Sequence, residues 1–200
     1  MSIVAAETSM QQSAFFFRDD PLPVGMRYQR ELITADEEHE LLQFLGELPF
    51  QEARYKEWQA KRRIVSYGGR YDFNLNRLLH AEPIASFLHP LRERIAQWSG
   101  IPAAQFEQAL INEYRPGTEL GWHRDAPDFE SVVGVSLAGM ARMRLRPYPP
   151  TTGRSAEATA LDLEPRSAYI LAGASRWKWQ HAISPTKALR YSITFRTLAM

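Results

Sequence analysis

Apolar residues keep two rhythms along this chain, helical in the N-terminal half and strand-like from residue 106 onward. Thr34-Ala35-Asp36-Glu37 sets a capping box ahead of the run ELLQFLGEL. In such a box the threonine hydroxyl and the glutamate carboxylate each satisfy a backbone N–H that a helix leaves unpaired. The pattern predicts a helix from residue 35 that ends between Gly46 and Leu48. A second apolar stripe, Ile84, Phe87, Leu88, Leu91, Ile95 and Trp98, predicts a helix opened by Pro83 as a first-turn proline and stopped by Gly100 and Pro102. Between them lies 51–73, basic and aromatic, with no clear period. Residues 1–12 read as loosely ordered, and Phe15, Phe16 and Phe17 as an apolar anchor for the adjoining segment.

From residue 106 short β-type segments recur: QALINEY, LGWHR, VVGVSL, MRLR, ATALDL, AYILA and RYSITFR. Turn signals such as Pro116-Gly117 and the run 147–153 separate them. Helices followed by about seven strands predict an α+β fold, a sandwich or jelly roll with the N-terminal helices packed outside. Length and spacing suit one domain over 1–200, with its β-core at 106–198.

Composition narrows the chemistry. The chain has no cysteine, so disulfides, thiolate metal sites and cysteine nucleophiles are excluded, and any metal must be held by His, Asp or Glu. A net charge of +1 neither requires nor forbids a nucleic-acid partner, since a local patch suffices to bind phosphate. No window reaches the roughly 18 apolar residues of a membrane span, and the N-terminus lacks the pattern of a signal peptide. A cytoplasmic, monomeric protein is the expectation.

The candidate chemistry lies in the strands. His123 and Asp125 are separated by one residue, so on a strand they share a face and can take adjacent corners of one metal ion. His181, 56 positions after Asp125, is the candidate third ligand. Two histidines and a carboxylate leave three coordination positions open, which suits non-heme iron(II). His39, His80 and His89 receive no role.

The segment 190–196 alternates strictly, with Tyr191, Ile193 and Phe195 on one side and Arg190, Ser192, Thr194 and Arg196 on the other. One reading gives the polar side to water. The other places it inside a barrel holding a dianion, because guanidinium forks pair with carboxylates. The two arginines lie about 20 Å apart along an ideal strand, so they would serve opposite ends of a dicarboxylate. Asn112 and Tyr114 share a face of an earlier strand and can hydrogen-bond a bound acid.

Taken in order, Asn112-x-Tyr114, Pro116-Gly117, His123-x-Asp125, Ser175-Arg176, His181 and Arg190-x5-Arg196 resemble the signature of the AlkB family over residues 108–198. Arg62-Arg63-Ile64-Val65-Ser66-Tyr67-Gly68 resembles its nucleotide-recognition region. The resemblance implies a double-stranded β-helix with iron(II) on His123, Asp125 and His181. It implies 2-oxoglutarate and O2 as cosubstrates, with the distal carboxylate held by Arg190, Asn112 and Tyr114, and Arg196 near the metal-bound end. It implies hydroxylation of an alkyl group on a nucleobase nitrogen, followed by collapse to the free base and an aldehyde.

Three positions and one interval depart from the bacterial repair enzyme of that family. Pro127, followed by Asp128, stands where that enzyme has an acidic residue two positions after its metal aspartate. Ala174 replaces a glutamate and Ser192 an asparagine. The interval from Arg176 to His181 is one residue longer, and with Arg62-Arg63 and Tyr67-Gly68 it is similar to the branch that hydroxylates modified wobble uridines in transfer RNA. The metal triad is untouched, and the substrate stays open.

For that substrate, 54–71 interleaves Arg54, Lys56, Lys61, Arg62, Arg63 and Arg70 with Tyr55, Trp58, Tyr67 and Tyr71, a composition that grips phosphates and stacks on an unpaired base. Trp122 beside His123, Arg142, Arg144 and Arg146 on one strand face, and Arg176 are further candidates, and Trp177 and Trp179 read as sharing a strand face with His181. Three functions fit: oxidative dealkylation of N-alkylated bases in single-stranded DNA or RNA, the same cofactor chemistry on a modified transfer RNA, protein or small molecule, and a non-enzymatic RNA-binding sandwich.

Overall fold

The structure is a computed structural model that describes residues 22–55, 58–72, 75, 77–150 and 159–199. The segments 1–12 and Phe15–Phe17 lie outside the described residues. In chain order the elements are β1 (Met26–Gln29), α1 (Ala35–Glu47), β2 (Gln51–Tyr55), β3 (Trp58–Tyr67), β4 (Gly69–Asp72), β5 (Arg77–His80), α2 (His89–Ser99), β6 (Phe106–Tyr114), β7 (Leu120–His123), β8 (Phe129–Leu137), β9 (Ala141–Pro147), β10 (Thr159–Leu163), β11 (Ala168–Leu171), α3 (Ala174–Trp177), β12 (Trp179–Ile183) and β13 (Arg190–Leu198).

Helix α1 begins where its capping box requires: the Glu37 N–H donates to Thr34 Oγ1 at 3.2 Å, and the Thr34 N–H donates to Glu37 Oε2 at 2.7 Å. Helix α2 starts later than Pro83. A short 3₁₀ turn over Ser86–Leu88 precedes it, and Pro90 occupies its first turn. The reason is steric. A helix opened at Pro83 would carry Pro90 in its interior, where the ring clashes with the preceding turn and a hydrogen bond is lost. At the other end Gly100 adopts φ +80 and returns its N–H to the Ala96 carbonyl at 2.9 Å.

Two sheets face each other. The large one runs β1-β11-β8-β13-β6-β3-β2 and the small one β10-β9-β12-β7, while β4 and β5 form a separate hairpin. This is the jelly roll predicted from the strand spacing, with the basic segment resolved into strands as well. Its period is hard to read because β3 has a mixed sequence on both faces: Ile64 and Ser66 pair with Asn112 and Leu110 toward the small sheet, and Val65 and Tyr67 pack toward the helices.

Two apolar clusters sit on opposite faces of the large sheet. Leu41 and Leu45 of α1 with Leu91 and Ile95 of α2 join Ile111, Val133, Val135, Ile193 and Phe195 on the outside. Tyr114, Val132, Met143, Leu145, Leu163, Leu171 and Ile183 fill part of the space between the sheets. Strand β13, flanked by β8 and β6, is buried on both faces from Arg190 to Thr197. Its polar side therefore does not meet water. It lines the interior.

Gly68 links β3 to the hairpin with φ +75, and a Cβ there would lie 1.8 Å from the Glu107 carbonyl oxygen of β6. Neither the left-handed backbone nor the contact tolerates a side chain. Gly68→Ala is expected to destabilise the fold by at least about 2 kcal/mol, read as a lower midpoint in urea denaturation.

Candidate metal centre

His123 and His181 face each other directly across the β7–β12 pairing, with ring centroids 4.2 Å apart. The register between these strands shifts from His181↔His123 to Ile183↔Leu120. This bulge turns both Leu120 and His123 toward the space between the sheets and leaves Trp122 outside. Asp125 lies just beyond the end of β7. Its loop is held by Arg176, whose Nη2 donates to the carbonyls of Asp125, Ala126 and Phe129 at 3.2, 2.6 and 2.7 Å. The ligand atoms of His123, Asp125 and His181 lie within 4.8 Å of one another.

The protonation states fit a metal. Burial pushes both imidazoles down, His181 to about 3, with the Asp125 charge opposing the shift, so both rings are neutral near pH 7. Burial alone would raise the Asp125 carboxyl, but the Arg196 guanidinium first, with Arg176 behind it and the two imidazoles while they are protonated, outweighs it and holds the group well below the usual carboxylate range. The 3.7 Å approach of His181 Nε2 to Asp125 Oδ2 is therefore no ion pair but a neutral imidazole nitrogen beside a carboxylate oxygen. His123 Nδ1 donates to the Gly121 carbonyl at 2.8 Å, which fixes the tautomer and turns Nε2 outward as a ligand. Asp125 Oδ1 takes two hydrogen bonds from Arg196, at 3.0 and 2.8 Å, whereas Oδ2 is buried with no partner. An orphaned carboxylate oxygen beside a neutral imidazole nitrogen is a site for a cation.

The same cleft continues between the sheets. Arg190, 1% exposed, donates from Nε to Ser136 Oγ at 3.0 Å and lies over the Tyr114 ring, and its Nη1 is buried without a partner. Asn112 accepts from Arg62 Nη1 at 3.1 Å, and the Nε of Arg62 is also buried without a partner. Ser192, Thr194 and Arg196 complete the β13 wall. Three arginines thus share the cleft with one carboxylate, and the surplus positive charge with idle donors fits a dianion such as a dicarboxylate.

The residues read as substrate contacts separate into groups. Arg62 lines the cleft, but its neighbour Arg63 points the other way and is tied to Glu113 at 2.9 Å and to the Phe50 carbonyl at 2.9 Å. Tyr67 also lies on the helix side, edge-on to Phe87. Arg176 is 2% exposed and occupied with the loop carbonyls. Arg63, Tyr67 and Arg176 thus lie away from the cleft, each engaged in contacts within the fold, because strand alternation or burial turns them elsewhere. Tyr71 sits on β4, where burial and the charge of Asp128 raise its phenol. Trp122 and Arg144 lie outside the cleft on the outer face of the small sheet. Trp177 belongs to α3 and donates to Glu130, so it does not share a strand face with His181, and Trp179 packs inward. The side chains of 54–60 and of Arg70 lie outside the described residues.

Sequence reasoning missed Gln108, Ser136 and Tyr169. Gln108 accepts from Arg196 at 2.8 Å, Ser136 holds Arg190, and Tyr169 lines the cleft. Ser136 carried a readable signal, the one hydroxyl within the apolar run 132–137.

Comparison with known proteins places this arrangement. A family model described as the 2OG-Fe(II) oxygenase superfamily matches residues 25–196. The "Alkylated DNA repair protein ALKBH8 homolog" of Arabidopsis thaliana is 29% identical over 180 residues, covering 80% of this chain and 50% of the relative. The "tRNA (carboxymethyluridine(34)-5-O)-methyltransferase ALKBH8" of Macaca fascicularis is 26% identical over 176 residues, covering 85% of this chain and 26% of the relative. The chain therefore spans half or less of these two proteins. The solved structure of OsALKBH1 superposes with a TM-score of 0.69 at 19% identity, covering 88% of this chain and 98% of that one, which establishes the shared fold.

Arg196 is expected to act on the metal through Asp125. Arg196→Met removes both hydrogen bonds to Oδ1 and should weaken iron(II) affinity about 10- to 100-fold, measured by anaerobic titration.

Proposed function

The chain belongs to the 2OG-Fe(II) oxygenase superfamily, among its AlkB-type members, and is an iron(II)- and 2-oxoglutarate-dependent dioxygenase; from that premise we propose that it oxidatively removes N-linked alkyl groups from nucleobases in single-stranded DNA or RNA. Membership in an oxygenase family overturns the reading as a non-enzymatic RNA-binding sandwich. The observation that carries the site assignment is the orphaned Asp125 Oδ2 beside the neutral His181, at the end of a cleft whose far wall holds the idle Nη1 of Arg190.

In this reading His123, Asp125 and His181 hold the iron. Arg190, Asn112 and Tyr114 receive the distal carboxylate of 2-oxoglutarate, with Ser192 and Thr194 lining the wall between them and Arg196. When bound, iron, 2-oxoglutarate and O2 supply the oxidation that hydroxylates an alkyl carbon, after which that carbon leaves as an aldehyde and frees the base. The chain's own residues do the positioning. The Gly121 carbonyl holds the His123 tautomer, and Arg196 anchors the non-ligating oxygen of Asp125. Leu120, Val132, Met143 and Ile183 make the intervening walls apolar, which keeps water from the reacting centre. The alkylated-DNA repair function named for the plant relative supports an alkylated base as substrate.

A second reading keeps the cofactors and makes a modified transfer-RNA uridine the target. The transfer-RNA uridine named for the macaque relative supports it, as does the interval from Arg176 to His181. Mass spectrometry of methylated DNA, methylated RNA and bulk transfer RNA before and after incubation separates the two. Loss of methyl from a base favours the first, and gain of one oxygen on a transfer-RNA uridine favours the second.

The enzyme is expected to convert 2-oxoglutarate slowly to succinate alone and faster with alkylated oligonucleotide. Asp125→Ala should abolish both conversions, and retained turnover would remove the triad from the mechanism. Arg190→Met should raise the KM for 2-oxoglutarate about 10- to 100-fold, the loss of a charge-assisted hydrogen bond, while leaving iron binding intact.

A further inference from the structure

The outer face of the small sheet carries side chains that the cleft does not use. Alternation sends His123, His181, Leu145 and Met143 inward, so Trp122 of β7, Gln180 and Ala182 of β12, Arg142, Arg144 and Arg146 of β9, and Asp162 of β10 point outward. Ala182 is small and lets side chains from β9 cross over it. The guanidiniums of Arg144 and Arg146 lie 5.0 and 4.4 Å from the centroid of the Trp122 ring. Arg146 is oriented by a 2.8 Å bond from Nε to Gln180 Oε1. Just past β9 the pattern repeats: Arg124, the residue after His123, lies 3.9 Å over Tyr148 and donates to the Trp177 carbonyl at 3.2 Å. Asp162 is the one acidic side chain on this sheet face among the described residues, and Arg142 pairs with it at 3.0 Å.

The face is therefore a row of guanidiniums seated over aromatic rings, with Arg144, Arg146 and Arg124 carrying charge that no carboxylate on the face offsets among the described residues. In a chain of net charge +1 this is a local concentration of cations rather than a reflection of the whole. Stacking fixes each planar fork while its N–H edges stay open to an anion, an arrangement a lysine cannot copy. The row also ends beside the metal strand, since Trp122 and Arg124 flank His123. We propose that this outer face binds the sugar-phosphate backbone of a single-stranded nucleic acid next to the nucleotide in the cleft. Phosphates meet the open guanidinium edges, and the rings hold the cations in register. The inference rests on the reading of nucleic acid as substrate and adds where the strand runs.

The test uses the full chain loaded with iron(II) and a fluorescent, mixed-sequence single strand, as RNA and as DNA, with a mononucleotide as the arm too short to reach the face. R144E/R146E should bind the strand about tenfold or more weaker, and the slope of log affinity against log salt should fall by about 1.4, the value for two lost phosphate contacts on a single strand. Mononucleotide affinity should not change. R144K/R146K, which keeps charge but not stacking, should fall between the two. Melting temperature and one iron per chain verify that both variants are folded. If wild type and R144E/R146E bind the strand alike with the same salt slope, the outer face is not the strand's path. If wild type binds no strand even at low salt, the nucleic-acid reading fails with it. Equal loss of strand and mononucleotide affinity would place the effect in the cleft and also overturn the proposal.

Discussion

A carboxylate stays ionised inside a protein only where something charged or hydrogen-bonding offsets the cost of leaving water, and for Asp125 that partner is Arg196. Its two bonds to Oδ1 leave Oδ2 bare and still negative beside two neutral imidazoles. Every other feature of the site depends on where Arg196 stands. It can reach Asp125 because β13 lies mid-sheet between β8 and β6 with its even-numbered side chains facing the cleft. The same alternation sends Tyr191, Ile193 and Phe195 beneath the helices, where α1 and α2 cover them. One strand thus binds the core together on one side and supplies the charge on the other.

The interior this creates is unbalanced. Arg62, Arg190 and Arg196 face a single carboxylate, and buried donors on Arg62 and Arg190 have no partner. Such groups are costly to leave without a partner once burial has taken them out of water. A dianion lodged among them would recover that loss. The strain and the specificity for an acidic cosubstrate are one property seen from two sides, and a stabler cleft filled with apolar residues would have nothing to bind.

Much of this is legible from residue types and spacing. The α1 capping box, seven of the eight strands from residue 106 onward (all but β12), the His123-x-Asp125 pair with His181, and the alternation of 190–196 all stand in the structure. Local patterns are legible when one interaction dominates them. The start of α2 is not, because Pro83 and Pro90 each fit a first turn and only the rule against an interior proline chooses between them. Strand β3 is not, because both of its faces mix polar and apolar residues. Arg176 reads as a substrate contact because nothing in the sequence says that three carbonyls of the 125–129 loop converge on it.

Adjacent residues on these strands do unrelated work. Arg62 enters the cleft while Arg63 braces Glu113; His123 faces the cleft while Trp122 supports cations on the far side; Arg190 lines the cleft while Tyr191 packs on Phe50. A change at an outward position reaches the metal triad only through the backbone, which the sheet pairing and the Arg176 clamp hold still. Side chains one residue apart thus serve opposite faces of the sheet, and the pleat of the strand keeps the two kinds of work separate.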